Sequence, residues 1–159
     1  MRTCKRLQAI VEALCANHAM DLKPVGAHVR LENAPFEPLV IERIAEHQVS
    51  VAHYYSLNGD LICDPDIVLF TGYAEWVPIS IQQPSVYLAG HELDGYRVVA
   101  ELSEDGAPHY GGSIARFYPR ALADLSSFCA TWARNIRAQG WLEHAVRAES
   151  QLSSSQERS

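Results

Sequence analysis

Apolar residues recur along the chain with two different periods. The change from one to the other separates helical ends from a sheeted middle. Near the N-terminus Leu7, Ile10, Val11, Leu14 and His18 fall at helical spacing and define one face. A helix from about Cys4 to about Ala19 is predicted, capped by Thr3 and broken by Lys23-Pro24-Val25-Gly26. Near the C-terminus Leu122, Leu125, Phe128, Cys129, Trp132 and Ile136 repeat the same spacing behind Pro119, whose fixed φ suits a first helical turn. Arg134 and Arg137 lie toward its end, and Gly140 offers a C-cap. Trp141 to Glu149 can form one more short helix.

Between these ends the period drops to two. His28–Glu32 and Pro38–Ile44 read as strands, and Ala45-Glu46 turns the chain. Val49, Val51, His53 and Tyr55 then share one face of a strand, with Ser50, Ala52 and Tyr54 on the other. Asn58-Gly59 predicts a type I′ hairpin turn, because both residues tolerate positive φ. The return strand starts at Leu61, is interrupted at Asp64-Pro65-Asp66 by an edge, a bulge or a second small turn, and continues as Ile67–Thr71. Trp76–Gln82 follows, with Val77, Ile79 and Ile81 inward and Pro78 marking an edge or an outward, unpaired amide. Ser85–Asp94 carries no clear period, Tyr96–Leu102 reads as a final strand, and Glu104 through Gly112 reads as loop. The predicted class is α+β: an N-terminal helix, an antiparallel meander of about five or six strands, and C-terminal helices packed on one sheet face. A single domain over 1–152 and a polar tail over 153–159 are expected.

Charge changes this picture. The net charge is −6, but residues 37–105 hold 12 acidic side chains against Arg43 and Arg97 alone, a block of −10. Each flank carries +2. Such a middle disfavours direct nucleic-acid binding, which needs clustered lysine and arginine. No apolar run is long enough for a membrane span. The interrupted apolar residues of the N-terminus do not make a secretory signal. Cys4, Cys15, Cys63 and Cys129 form no CxxC pair, so free thiols in a reducing cytoplasm are expected.

Two sets of side chains bear on chemistry. His53 with Asp60, Asp64 and Asp66 could offer an incomplete set of ligands to a divalent metal that activates water. The spacing matches no known metal loop, and aspartates beside turns are ordinary hydrogen-bond acceptors. His91, Glu92, Asp94 and His109 form a looser set near predicted loops. There is no G-x-S-x-G elbow, and Gly111-Gly112-Ser113 is not a phosphate loop. Neither a cofactor nor a catalytic residue is assigned. The acidic block and the sheet aromatics favour a protein-binding surface, with Tyr54, Asp60, Asp64, Asp66, Trp76, Glu92 and Asp94 as its contact residues.

The run His53-Tyr54-Tyr55-Ser56-Leu57-Asn58-Gly59-Asp60-Leu61, then Asp64-Pro65-Asp66 and Trp76-Val77-Pro78, resembles an uncharacterised family of small proteins from proteobacterial plasmids, integrative elements and phages. That family's pattern is roughly H-Y-Y-x-x-N-G-D-L-x-x-D-P, followed by W-x-P and a later tyrosine, matched here by Tyr87. The likeness covers about residues 25–90. It implies a mobile-element context and no established catalytic residues. The expected function is therefore a non-enzymatic accessory or anti-defence inhibitor. Its acidic sheet surface would meet a basic surface on a host or mobile-element protein. A small metal-dependent hydrolase using His53 and nearby aspartates is the alternative.

Overall fold

The structure is a computed structural model that describes residues 1–104 and 111–148. The expected loop residues 105–110, the end of the last predicted helix at Glu149 and the polar tail lie outside the described residues, as does the side chain of Tyr87.

The first helix, α1, spans Lys5–Asn17 and buries Leu7, Ile10, Val11 and Leu14 of the predicted face, while His18, the last residue of that spacing, falls at the C-cap and is only partly buried. Its N-cap is Cys4, not Thr3, and no side chain caps it. The Thr3 hydroxyl instead donates to a Glu75 carboxylate oxygen at 2.7 Å. The long C-terminal helix, α2, spans Pro119–Ala138 with proline in its first turn. It buries Leu122, Leu125, Cys129, Trp132 and Ile136.

The main sheet is antiparallel and has seven strands. Five run in succession: β1 (His28–Asn33), β2 (Phe36–Ala45), β3 (Gln48–Leu57), β4 (Asp60–Phe70) and β5 (Val77–Gln82). The β3–β4 turn is at Asn58-Gly59, with φ of 52° and 87°. Of the alternatives for Pro65 the bulge is the one found, and the edge position offered for Pro78 is not. Strand β4 continues through Pro65 without a break, because the register of β3 and β4 slips between Ala52 and Tyr54 there. Pro78 does not mark a sheet edge. It sits at a second slip, between Val68 and Leu69, in a strand flanked on both sides. A bulge tolerates a missing donor where a regular ladder would not.

The unassigned stretch after β5 forms a small hairpin arm, β6 (Val86–Leu88) with β7 (His91–Leu93). Its turn uses Ala89 and Gly90 at φ of 51° and 80°. Alanine rarely adopts that conformation, which is why no turn signal was visible. The expected strand 96–102 is two strands. Strand β8 (Tyr96–Val98) joins the main sheet beside β5. Beyond Val99, β9 (Ala100–Leu102) pairs instead with β10 (Ile114–Phe117).

After Gly140, at φ 78°, helix α3 lasts only from Trp141 to His144. The chain then extends as β11 (Val146–Arg147) along the outer edge of β1, completing the order β11-β1-β2-β3-β4-β5-β8. Strand β1 would otherwise present unpaired amides, and satisfying them outweighs further helix.

Both long helices cover one face of the sheet. Its inner rows, Val29, Leu31, Leu39, Ile41, Val49, Val51, Ile67 and Leu69, form one core cluster with Leu7, Leu14, Leu122 and Trp141. Trp76, expected at a partner surface, belongs to this core at 7% exposure. Its backbone carbonyl accepts from the Cys4 amide at 2.9 Å, and its own amide donates to Gln8 at 2.9 Å. It anchors α1 to the start of β5, so its indole adds nothing to an interface. Trp132 is equally buried on the sheet-facing side of α2. Trp132→Ala is expected to cost about 3–5 kcal/mol, the range for large aromatic truncations, as measured by urea denaturation. A loss below about 1 kcal/mol would place that ring outside the core.

Candidate functional site

Alternation along β3 divides the predicted metal set. Val49, Val51 and His53 turn toward the helices. The His53 ring meets Trp132 edge-on at 5.4 Å between centroids and Trp141 at 5.6 Å. Its Nδ1 lies 3.1 Å from the Glu37 carbonyl oxygen and 3.2 Å from that of Pro38, so an Nδ1–H donates to backbone. Burial pushes the His53 pKa down. This is a neutral, partly buried histidine at the margin of the core. Asp66 stands opposite Ala52 and bonds Ser50, on the far face of the sheet. Asp60 closes the exposed end of the hairpin. The sheet therefore separates His53 from Asp66, Asp60 stands at the hairpin end, and of the three aspartates only Asp64 lies near enough for its charge to act on the His53 ring. Among the described residues no group of three His, Cys, Asp or Glu side chains could hold a metal ion.

The outer face is lined by small residues at its centre. One cross-strand row reads Glu42, Ser50, Val68, Ser80 and Val98, and the next reads Val40, Ala52, Asp66, Gln82 and Tyr96. Asp66 Oδ1 accepts from the Ser50 hydroxyl at 2.6 Å. Burial raises the Asp66 pKa, the Ser50 bond opposes that, and the Glu42 charge adds to the rise. Tyr54 shares the face, paired with Cys63. Burial raises its phenol pKa, reinforced by Asp66. The Cys63 thiol is raised by burial and then by Asp66, so it stays protonated and is a poor nucleophile. Burial also lifts Cys15 to about 11 and Cys129 to about 12.

The remaining predicted acids gather at one end of the sheet. The tip of the β3–β4 hairpin and the β6–β7 arm both project there, beyond the Asp66–Gln82 pair. Between the arm, the end of β5 and the first half of α2 lies a cleft of about 660 Å³. Asp64, Asp94 and Asp124 line it, with Arg97 the single basic residue among them. Its apolar walls come from Val86 and Leu93 on the arm and Phe128 on α2. These three are 61%, 50% and 37% exposed. Val86 pairs directly with Leu93, so both side chains project from one face of the arm, and Glu92, offset by one residue, belongs to the other. The arm is held at its base by the Gln83 amide donating to Gly95, where a Cβ would lie 1.9 Å from the Gln83 oxygen. Asp94 accepts from the Tyr96 amide at 3.0 Å, which fixes its carboxylate at the rim.

Of the seven predicted contact residues, Asp64 and Asp94 meet in this cleft. Asp60 and Glu92 stand exposed on the two projections, Tyr54 and Asp66 share the outer sheet face, and Trp76 is in the core. Asp124 was missed, since an acid on the polar side of an amphipathic helix carries no signal until the helix is placed. Arg43, one of two bases in the acidic block, is buried. It donates to the carbonyls of Leu22 and Glu46 and to the Thr71 hydroxyl, so it does not offset surface charge.

The class is thus a small α+β domain with one sheet face sheathed by helices and an acidic cleft at the sheet end. Within that class the chain belongs to the family described as a domain of unknown function, DUF6908, whose model matches residues 5–142. No curated protein and no solved structure matches the chain. No helix among the described residues is long and apolar enough to cross a membrane.

Two titrations follow with opposite signs. In the unfolded chain His53 gains a proton as pH falls through about 6.5, while in the fold its lowered pKa keeps it neutral. The unfolded state then binds more protons, so stability falls on acidification through that window. His53→Gln should show a flatter decline between about pH 7 and 5 in urea denaturation. An unchanged slope would remove His53 as the source. Asp66 has a raised folded pKa, so its charge opposes folding above that pKa and the penalty fades with acid. Asp66→Asn should be at least as stable as the wild type at neutral pH, its advantage shrinking toward the carboxylate range. A destabilised variant at neutral pH would show that the Ser50 bond needs the ionised form.

Proposed function

We propose that this protein is a non-enzymatic binding module, a cytoplasmic accessory of a mobile genetic element that blocks a basic segment of a host or mobile-element protein. The observation that carries the reading is the end cleft, where apolar walls on the arm and on α2 stand exposed beside three carboxylates. A two-stranded arm is marginal on its own, and exposed apolar side chains facing a cavity gain most when a ligand covers them. The ligand that fits is a peptide segment with one bulky apolar residue between lysines or arginines. The apolar residue fills the space between Val86, Leu93 and Phe128, and the cations meet Asp64, Asp94 and Asp124. Asp60 and Glu92 on the flanking projections extend the negative field and speed encounter. The mobile-element context implied by the hairpin motif gives such a module an anti-defence role.

The test is selection from a random peptide library on the immobilised full chain. Enrichment of sequences combining lysine or arginine with a large apolar residue is expected. Asp64→Asn, Asp94→Asn and Asp124→Asn together should weaken the selected peptide at least about tenfold, or about 1.4 kcal/mol, with the thermal melt retained. Enrichment without basic residues, or undiminished affinity in the triple variant, would sink the reading.

A further inference from the structure

A second groove lies on the helical side of the molecule. It has a volume of about 500 Å³ between α1 and α2 and is lined by Lys5, Arg6, Ala9, Ala133, Arg134 and Arg137, with Ile10 at its floor. Four cations and no carboxylate line it. Lys5 reaches Glu75 at 3.5 Å and Arg134 donates to Thr131, while Arg6 and Arg137 form no ion pair among the described residues. In a chain of net charge −6 this is a local reversal of sign.

Helix α2 links the two features. Its first half supplies Asp124 and Phe128 to the acidic cleft, and its second half supplies Ala133, Arg134 and Arg137 to the basic groove. Ten residues separate Asp124 from Arg134, about 15 Å of helix axis. The molecule is therefore bipolar along α2, with an apolar surface at each pole. A phosphate backbone would use the charged heads but not the aliphatic stems of the four cations, which with Ala9 make the groove wall over the buried Ile10 and Ala133. The acidic pole offers both complements at once: carboxylates at Asp60, Asp64, Glu92 and Asp94, and exposed Leu57, Leu61 and Leu88 at the tips of its projections.

We infer that the basic α1–α2 groove docks the acidic pole of a second copy of this chain, in a head-to-tail contact that covers the second copy's cleft. The inference rests on the proposed role of the cleft and adds its regulation, since self-association and a basic partner then compete for the same pole. A heterologous contact of this kind closes into a ring or extends into a filament. Each terminal copy keeps one free cleft or one free groove.

The experiment is sedimentation velocity on the full chain across a concentration series. At about 0.1 M salt the mean mass should rise with concentration. At about 1 M, where the Debye length falls from about 10 Å to about 3 Å, the protein should be monomeric. Arg134→Glu with Arg137→Glu should be monomeric at low salt, and so should Asp64→Lys with Asp124→Lys. Mixing the two should give a one-to-one heterodimer that grows no further, because the pair retains one intact acidic pole and one intact basic groove. That outcome also shows that both variants are folded. A wild-type monomer at every concentration at low salt overturns the inference, as does association that neither variant reduces. So does a wild-type monomer that binds double-stranded DNA through Arg134 and Arg137. Peptide selection separates the two readings: self-association without recognition of basic peptides would sink the cleft's role alone. A monomer that still selects basic peptides would sink only the head-to-tail contact.

Discussion

Everything in this fold depends on the inner face of the sheet being covered by α1 and α2. Alternation along each strand sends Val29, Leu39, Val51 and Ile67 to one side and leaves the other side with Ser50, Ala52, Asp66 and Ser80. Once the helices claim the first set, the second is committed to the outside. The indoles of Trp132 and Trp141 against His53 tie the C-terminal helices to β3, far from them in sequence. The same packing decides what His53 can do. A ring packed against two indoles and bonded to backbone is held in place by the fold, whatever aspartates follow it in the chain.

The regular parts of this architecture were legible because each had one dominant local cause. The spacing of Leu122, Leu125, Phe128, Cys129, Trp132 and Ile136 marked a buried stripe, and all but Phe128, which is exposed at its margin, are buried. Asn58-Gly59 could hardly be anything but a hairpin turn. What escaped the sequence was set by tertiary demands. The Ala89-Gly90 turn, the division of 96–102 at Val99 and the strand at Val146 are each fixed by a partner distant in the chain. Proline chemistry pointed to a bulge as one of three outcomes at Pro65, but which one holds there, and that Pro78 sits inside the sheet, depends on the neighbouring strands.

The candidate site was legible in composition and less so in geometry. Two acids of the acidic block, Asp64 and Asp94, line one cleft at the end of the sheet, a juxtaposition that composition alone does not give. Trp76 was assigned to the surface on residue type alone, and only the packing of α1 against it shows otherwise. Asp66 is the most telling acid on the outer face. Burial and Glu42 both push its pKa up, and the Ser50 hydroxyl bond is what opposes them.

The pairing of β11 with β1 has a consequence for synthesis. Leu31 and Glu32 find their outer neighbours only in Val146 and Arg147. As the chain leaves the ribosome, β1 can pair with β2 at once, but its other edge stays open until Val146 and Arg147 have emerged, more than a hundred residues later. The inner face of the sheet likewise waits for α2. Until then a nascent chain carries an apolar, one-sided sheet with an open edge, so the sheet is sealed only by the segment made last within the fold.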